Sequence, residues 1–206
     1  MIRILLVRHA TNDLLGQVLY GRRPGVRLNA EGIRQAHAIA DRLAASCALS
    51  EVVSSPLERA LETAAAIAGR QNLTVTIDDD LTEIDFGTWT GTAFSELLDR
   101  EDWRNFNRRR ATTSPPGGES MLQVQARAWR SIMRTVDKYR HEDAAVAFVT
   151  HGDVVRSVLL LVLGMPIDLI HRLEISPASL SEIRVWQNVT TVYGVNQILY
   201  EGLREC

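Results

Sequence analysis

Leu5–Thr11 reads LLVRHAT, an apolar run that stops on an Arg-His pair. Ile4 to Val7 is the pattern of a buried strand. Arg8 and His9 then stand at its exit. Either the strand ends there and its next residues are solvated, or the strand holds a reactive imidazole beside a fixed positive charge. Motifs further along the chain decide between the two.

Outward from this run, strand-like and helix-like segments alternate. Ala30 to Ala45 carries Ile33, Ala36, Ile39, Ala40 and Leu43 at helical spacing. Glu51-Val52-Val53 is a short strand. In SSPLERALETAAAIAGR, Ser55 is the expected N-cap, Pro56 the first helical residue, Glu58 the capping-box partner and Gly69 the stop. A polar helix is predicted around Ala93 to Arg109. Another is predicted from about Ser120 to Arg140, with Leu122, Ala128, Trp129, Ile132 and Val136 on one side. AAVAFV reads as a buried strand that feeds THG and a helix from about Val154 to Leu163. Ser181 to Gln187 and Thr190 to Val195 read as a closing hairpin. Such alternation predicts a layered α/β domain. TTSPPGGES is the clearest loop, with sheet-completing elements on both sides, so residues 1–206 are read as one domain.

The bulk properties fit that reading. A chain of 206 residues suits one large domain, and 46% hydrophobic residues supply a sizeable core. Twenty-three basic and 25 acidic side chains leave a formal charge of −2, with no global pull towards nucleic acid or an anionic membrane. Cys47 and Cys206 lie far apart and outside any CxxC, which argues against a disulfide framework or thiolate zinc and fits a reducing, cytoplasmic compartment. The N-terminal apolar run is closed early by Arg8 and does not read as a secretory signal. The longest later run, Val158 to Met165, is too short to span a bilayer. Nothing in the sequence reports the oligomeric state.

The chemistry narrows by exclusion. The chain has no GxxxxGK[ST], GxGxxG, GxSxG or HExxH, and no His-carboxylate cluster at metal-ligand spacing. What remains is a repeated event at strand ends. One strand ends in Arg8-His9, a second in SSPLER with Arg59, a third in THG with His151. Carboxyl ends of strands are where α/β sites assemble. Two arginines, two histidines and two helix N-termini converging there call for a phosphate.

LLVRHA, SSPLERALETA, LTEIDFGTWTG, PPGGES and VTHGDVVRSVLL, in this order, resemble the successive signatures of the histidine phosphatase superfamily, the phosphoglycerate mutase-like proteins. The resemblance covers Ile2 to about Leu163. It implies a three-layer fold, a mixed and mostly parallel sheet flanked by helices on both faces. It implies a metal-independent phosphomonoesterase with no cofactor, acting on a small phosphate ester rather than nucleic acid or a membrane. It implies His9 as the nucleophile that takes the phosphoryl group, with Arg8, Arg59 and His151 on its oxygens. Asn12, Gly21 and Gly152 are implied substrate contacts. Glu83 is the implied proton donor, with Asp85 as its competitor. A segment at about 88–117 is expected to roof the pocket.

Elementary electrostatics agrees with these roles. Two guanidiniums disfavour an imidazolium and keep His9 nucleophilic, and they stabilise the transferring phosphoryl group. Glu83 needs the reverse, a raised pKa. His37, His141 and His171 are read as structural or solvated. RNFNRRR (104–110) is read as the wet face of a helix, or as arginines overhanging the pocket. Three departures from the family pattern stand out: Ala10 replaces a usual Gly and is expected at negative φ, Asn12 replaces Thr, and Leu15 replaces a frequent Asn. The alternatives are a phosphoglycerate mutase, disfavoured by the short interval between Glu83 and GGES, and a phospho-ligand-binding module with little turnover.

Overall fold

The computed structural model describes residues 1–187 and 189–198; Cys206 lies outside them. Its strands are β1 (Ile2–Arg8), β2 (Glu51–Ser54), β3 (Val75–Ile77), β4 (Ala144–Thr150), β5 (Ser179–Trp186) and β6 (Val189–Ile198). Its α-helices are α1 (Ala30–Ser46), α2 (Glu58–Arg70), α3 (Phe94–Leu98), α4 (Glu101–Arg108), α5 (Met121–Lys138) and α6 (Gly152–Val162). Among the described residues the sheet runs β3-β2-β4-β1-β5-β6. β3, β2, β4 and β1 are parallel, and β5 and β6 are antiparallel to their neighbours. This is the expected mixed, mostly parallel sheet.

Strand alternation assigns each residue a face. Ile4, Leu6, Val53, Val146 and Phe148 join a core with Val124, Ala128 and Ile132 of α5 and Val155 and Leu159 of α6. Leu5, Val7, Val52, Ala147 and Val149 join a second core with Ile39 and Leu43 of α1 and Ala64 and Ile67 of α2. β1 and β4 are therefore buried on both faces, which explains their uninterrupted apolar runs. Because β1, β2 and β4 run the same way, their carboxyl ends open on one edge.

Several local expectations are corrected. α2 begins at Glu58 with Leu57 as its N-cap, and no side chain caps it. The Ser55 hydroxyl instead meets His151 Nε2 at 2.8 Å. A buried imidazole needs a partner, and that need outweighs capping an accessible helix end. Glu58 accepts from the Gly25 N–H at 2.8 Å rather than closing a capping box. α2 runs past Gly69, and Asn72, at φ 55°, makes the left-handed turn. The predicted 93–109 helix is broken into α3 and α4. Ile33 and Leu122 face solvent, 50% and 47% exposed. On α5 the inward phase is carried by Met121, Val124 and Arg127, and Arg127 is neutralised by Glu119 at 2.8 Å. Ser120 caps α5 in a capping box with Gln123. β3 has three residues, Val75-Thr76-Ile77, all at least partly exposed; the strand was not predicted, although all three are β-branched.

Candidate active site

The sheet edge is where the Arg-His pair sits. His9 N–H donates to Thr150 O at 2.8 Å, which locks the exit of β1 to that of β4. Ser55 N–H donates to Val149 O at 3.0 Å and ties in β2. Arg8, Arg59 and His151 are brought around His9 by these three strand ends.

His9 is buried, 2% exposed. Its Nδ1 lies 2.8 Å from Ala10 O and its Nε2 lies 3.2 Å from Arg59 Nε. A carbonyl only accepts and a guanidinium only donates, so Nδ1 holds the proton and Nε2 the lone pair. Burial first, then the Arg59 and Arg8 charges, hold its pKa well below the ordinary histidine value. His151 follows the same logic. Arg59 Nη2 donates to its Nδ1 at 3.2 Å, and its Nε2–H donates to Ser55 Oγ. Burial and Arg59 lower its pKa too. The two rings stand 5.2 Å apart, inclined at 61°.

Arg59 is fully buried in the first turn of α2. Its Nη2 donates to Gly21 O at 2.8 Å, and its guanidinium stacks over Tyr20 at 4.7 Å. Gly21 is at φ +45°, and a Cβ there would lie 2.9 Å from the Phe86 ring, so this carbonyl is presented by a residue that must be glycine. Arg59 Nη1 and Arg8 Nε are buried donors without an acceptor. Unpaired donors next to a neutral imidazole are what an oxyanion would satisfy.

Arg8, His9, Gly21, Glu83 and Gly152 line one cavity of about 300 Å³. Asn12 does not line it; its Nδ2 donates to Tyr20 Oη at 3.2 Å. Ala10 is buried and avoids positive φ, as expected. Burial first, then the Asp153 carboxylate, push the Glu83 pKa up to about 7, against the pull of Arg59, the Ile84 N–H and Arg8. Its backbone is held from behind: Arg22 Nε and Arg127 Nη2 donate to Glu83 O at 2.7 and 3.2 Å, and Glu119 anchors both arginines. Asp85 accepts from the Gly87 N–H at 2.8 Å and does not line the cavity.

Sequence reasoning missed much of the far wall. Asp153 accepts from Arg110 at 3.1 Å and Arg156 at 3.0 Å, all three lining the cavity. Asp153 and Arg156 sit in the first helical turn after THG, so that motif itself carried their signal. Arg110 ends the RNFNRRR run, buried rather than wet, with Asn107 beside it; Arg104, Arg108 and Arg109 are exposed. His171 also lines the cavity, 3.0 Å from Asn107, whereas His37 and His141 are exposed. Phe94 and Trp103 line it from α3 and α4. Among the described residues no group of three His, Cys, Asp or Glu stands close enough to hold a metal ion, and no helix is long and apolar enough to cross a membrane.

The fold and this edge define an α/β protein with a neutral imidazole set among buried guanidiniums. The sequence pattern of the histidine phosphatase superfamily (branch 1) matches residues 4–198, and the chain belongs to that family. The match runs beyond Leu163 to the last described strand. The chain is 38% identical over 202 residues to a bifunctional protein of Mycobacterium tuberculosis, Rv2228c, covering 96% of this chain and 54% of that one. It thus spans about half the length of such relatives. It is 29% identical over 204 residues to phosphoserine phosphatase 1 of Hydrogenobacter thermophilus, covering 98% and 95%. The solved structure of mycobacterial glucosyl-3-phosphoglycerate phosphatase Rv2419c superposes with a TM-score of 0.85 at 27% identity, covering 95% of this chain and 98% of that one.

Proposed function

We propose that the chain is a phosphomonoesterase that hydrolyses a small phosphorylated metabolite through a phosphohistidine on His9. The observation that carries this reading is His9 Nε2, a lone pair held in a neutral buried ring at hydrogen-bond distance from Arg59. The phosphatase names of similar proteins point the same way.

The steps balance as follows. His9 Nε2 attacks phosphorus and the ester P–O bond breaks. Glu83 gives its proton to the leaving alkoxide. Arg59 Nε moves from His9 Nε2 to a phosphoryl oxygen, and Arg8 and Gly152 bind the others. The arriving dianion raises the His151 pKa, so that ring also becomes a donor. Water then attacks the phosphohistidine, Glu83 takes its proton, and the N–P bond breaks to release inorganic phosphate. This divides one displacement into two easier ones. Arg8 and Arg59 supply the positive charge, so no metal enters the scheme. Segment 88–117, with Phe94, Trp103, Asn107 and Arg110, roofs the leaving-group end. A cytoplasmic setting suits a catalyst of metabolite esters without a disulfide framework.

The test is chemical. Brief exposure to a labelled phosphate ester leaves acid-labile, base-stable label on His9. Label that survives acid, or that persists undiminished in His9→Ala, overturns the nucleophile assignment.

A further inference from the structure

Beyond His9 and Glu83, the cavity has two unlike walls. Leu15, Val18, Leu19, Phe86, Phe94 and Trp103 form an apolar one. Leu15 and Val18 come from the loop after β1, Phe86 follows Glu83, and Phe94 and Trp103 descend from α3 and α4. Phe94 and Trp103 stand 6.3 Å apart, tilted by 57°, and Trp103 is braced edge-on against buried Trp89 at 5.5 Å. A braced aromatic wall keeps its shape when a ligand arrives.

Another part of the lining carries charge, two guanidiniums, Arg110 and Arg156, sharing the one Asp153 carboxylate. The partly buried Asp153 carboxylate accepts from Arg110 and from Arg156. Arg110 gives its other terminal nitrogen to Asn107 Oδ1 at 2.7 Å and stacks on Phe106 at 4.1 Å. Arg156 Nε is held by Leu173 O at 2.8 Å.

We propose that this end of the pocket is a subsite for an aromatic or similarly flat apolar leaving group, so the substrate class is a phosphomonoester of an alcohol bearing such a group. The proposal rests on the phosphatase reading for its orientation, with phosphate at His9 and the alcohol against Leu15, Phe94 and Trp103. An apolar side chain at position 15, where the sequence resemblance leads one to expect Asn, is part of the same wall.

The probes are non-hydrolysable: ethylphosphonate, 2-phenylethylphosphonate and 3-phosphonopropionate, with affinity measured by calorimetry. Covering roughly 100 Å² of ring surface at about 25 cal/mol per Å² predicts roughly 70-fold tighter binding of the phenylethyl compound than of the ethyl one. The phenylethyl compound also binds more tightly than the carboxylated one. Leu15→Asn and Phe94→Ala reduce the ratio to below roughly 10-fold, and Leu15→Met keeps it. Leu15 is partly exposed, so its variants report even if Phe94→Ala does not fold. Equal affinities for the ethyl and phenylethyl probes, or tightest binding of phosphonopropionate, overturn the proposal. Hydrolysis of p-nitrophenyl phosphate by the same preparation reports separately on the phosphatase reading. Discrimination without hydrolysis leaves the subsite standing and removes the catalysis.

Discussion

Glu83→Gln separates what the acid does for catalysis from what it costs the fold. Glutamine keeps the shape and still accepts the Ile84 N–H at Oε1, a 3.0 Å bond in the wild type, but it cannot ionise. In the folded protein the Glu83 pKa is pushed up to about 7 from 4.5. A raised folded pKa means that the native state holds its proton longer than the unfolded chain does. The associated stability is fully present below the unfolded value and is lost as pH rises through the folded one. Between pH 5 and pH 8 the shift amounts to about 2.5 kcal/mol, and screening by water at the cavity mouth reduces the expectation to about 2 kcal/mol. Urea unfolding at the two pH values measures it. Relative to wild type, Glu83→Gln should become more stable by about 2 kcal/mol on going from pH 5 to pH 8 while losing activity. Taking the difference between variant and wild type cancels groups that titrate alike in both. A difference that stays constant within about 0.5 kcal/mol over this range would show that Glu83 titrates as an ordinary carboxylate and that its burial does not govern its proton.

Acidification has the opposite sign at His9, whose folded pKa is depressed. Its contribution is present above about 6.5 and is lost as pH falls, so His9→Gln should lose less stability than wild type between about pH 7 and pH 5; parallel urea curves would contradict a buried neutral ring. Chelation with EDTA should leave phosphatase activity within about twofold, because arginines carry the positive charge; total loss restored by one divalent ion would mean that the charge comes from a metal. Gly21→Ala forces a side chain into the left-handed region and against Phe86, so thermal unfolding should report a loss of about 1–2 kcal/mol, with kcat/KM reduced as the Arg59 holder moves; an unchanged melting temperature would show that the loop relaxes freely. Leaving-group dependence assigns the acid: Glu83→Gln should slow the burst with an alkyl phosphate by roughly 10²–10⁴-fold and with p-nitrophenyl phosphate much less, and the same selectivity in Asp85→Asn instead would move the proton donor by two residues.

The parts of the site legible in the sequence are those fixed by strand ends. Arg8, His9, Arg59 and His151 each follow an apolar strand within a few residues, so topology alone brings them together. Glu83 was legible only through its motif, because no strand or helix presents it; the Arg22–Glu119–Arg127 cluster holds its backbone. The far wall was less legible because its side chains come from segments whose local pattern is ambiguous. Arg110 sits in a run that reads as a wet helix face, and only the tertiary fold shows that Asp153 and Phe106 bury it. His171, read as structural or solvated, is exposed yet lines the cavity beside Asn107. Ser55 is an excellent cap by local chemistry, yet a buried imidazole 96 positions away takes its hydroxyl. Leu122 and Ile33 lie at the margins of faces read in the right phase, since Ala36, Ile39, Ala40 and Leu43 of α1 and Ala128 and Ile132 of α5 are buried.

The proposed reaction makes conflicting demands on one small volume. His9 must be neutral to attack, which favours nearby cations. Glu83 must be protonated to donate, which nearby cations oppose. Arg8 and Arg59 act on both groups, lowering the pKa of His9 and also that of Glu83. Burial resolves half of this conflict, because desolvation favours the neutral form of either group. Asp153 resolves the rest for Glu83 alone, as the second cause raising its pKa. An unpaired carboxylate at that depth would itself take up a proton and stop acting as a charge. Arg110 and Arg156 prevent this by hydrogen-bonding it and holding its pKa below the ordinary aspartate value. The ion pairs and the acid therefore act as one electrostatic unit, in which two arginines of the same cavity keep one carboxylate charged so that another can stay neutral.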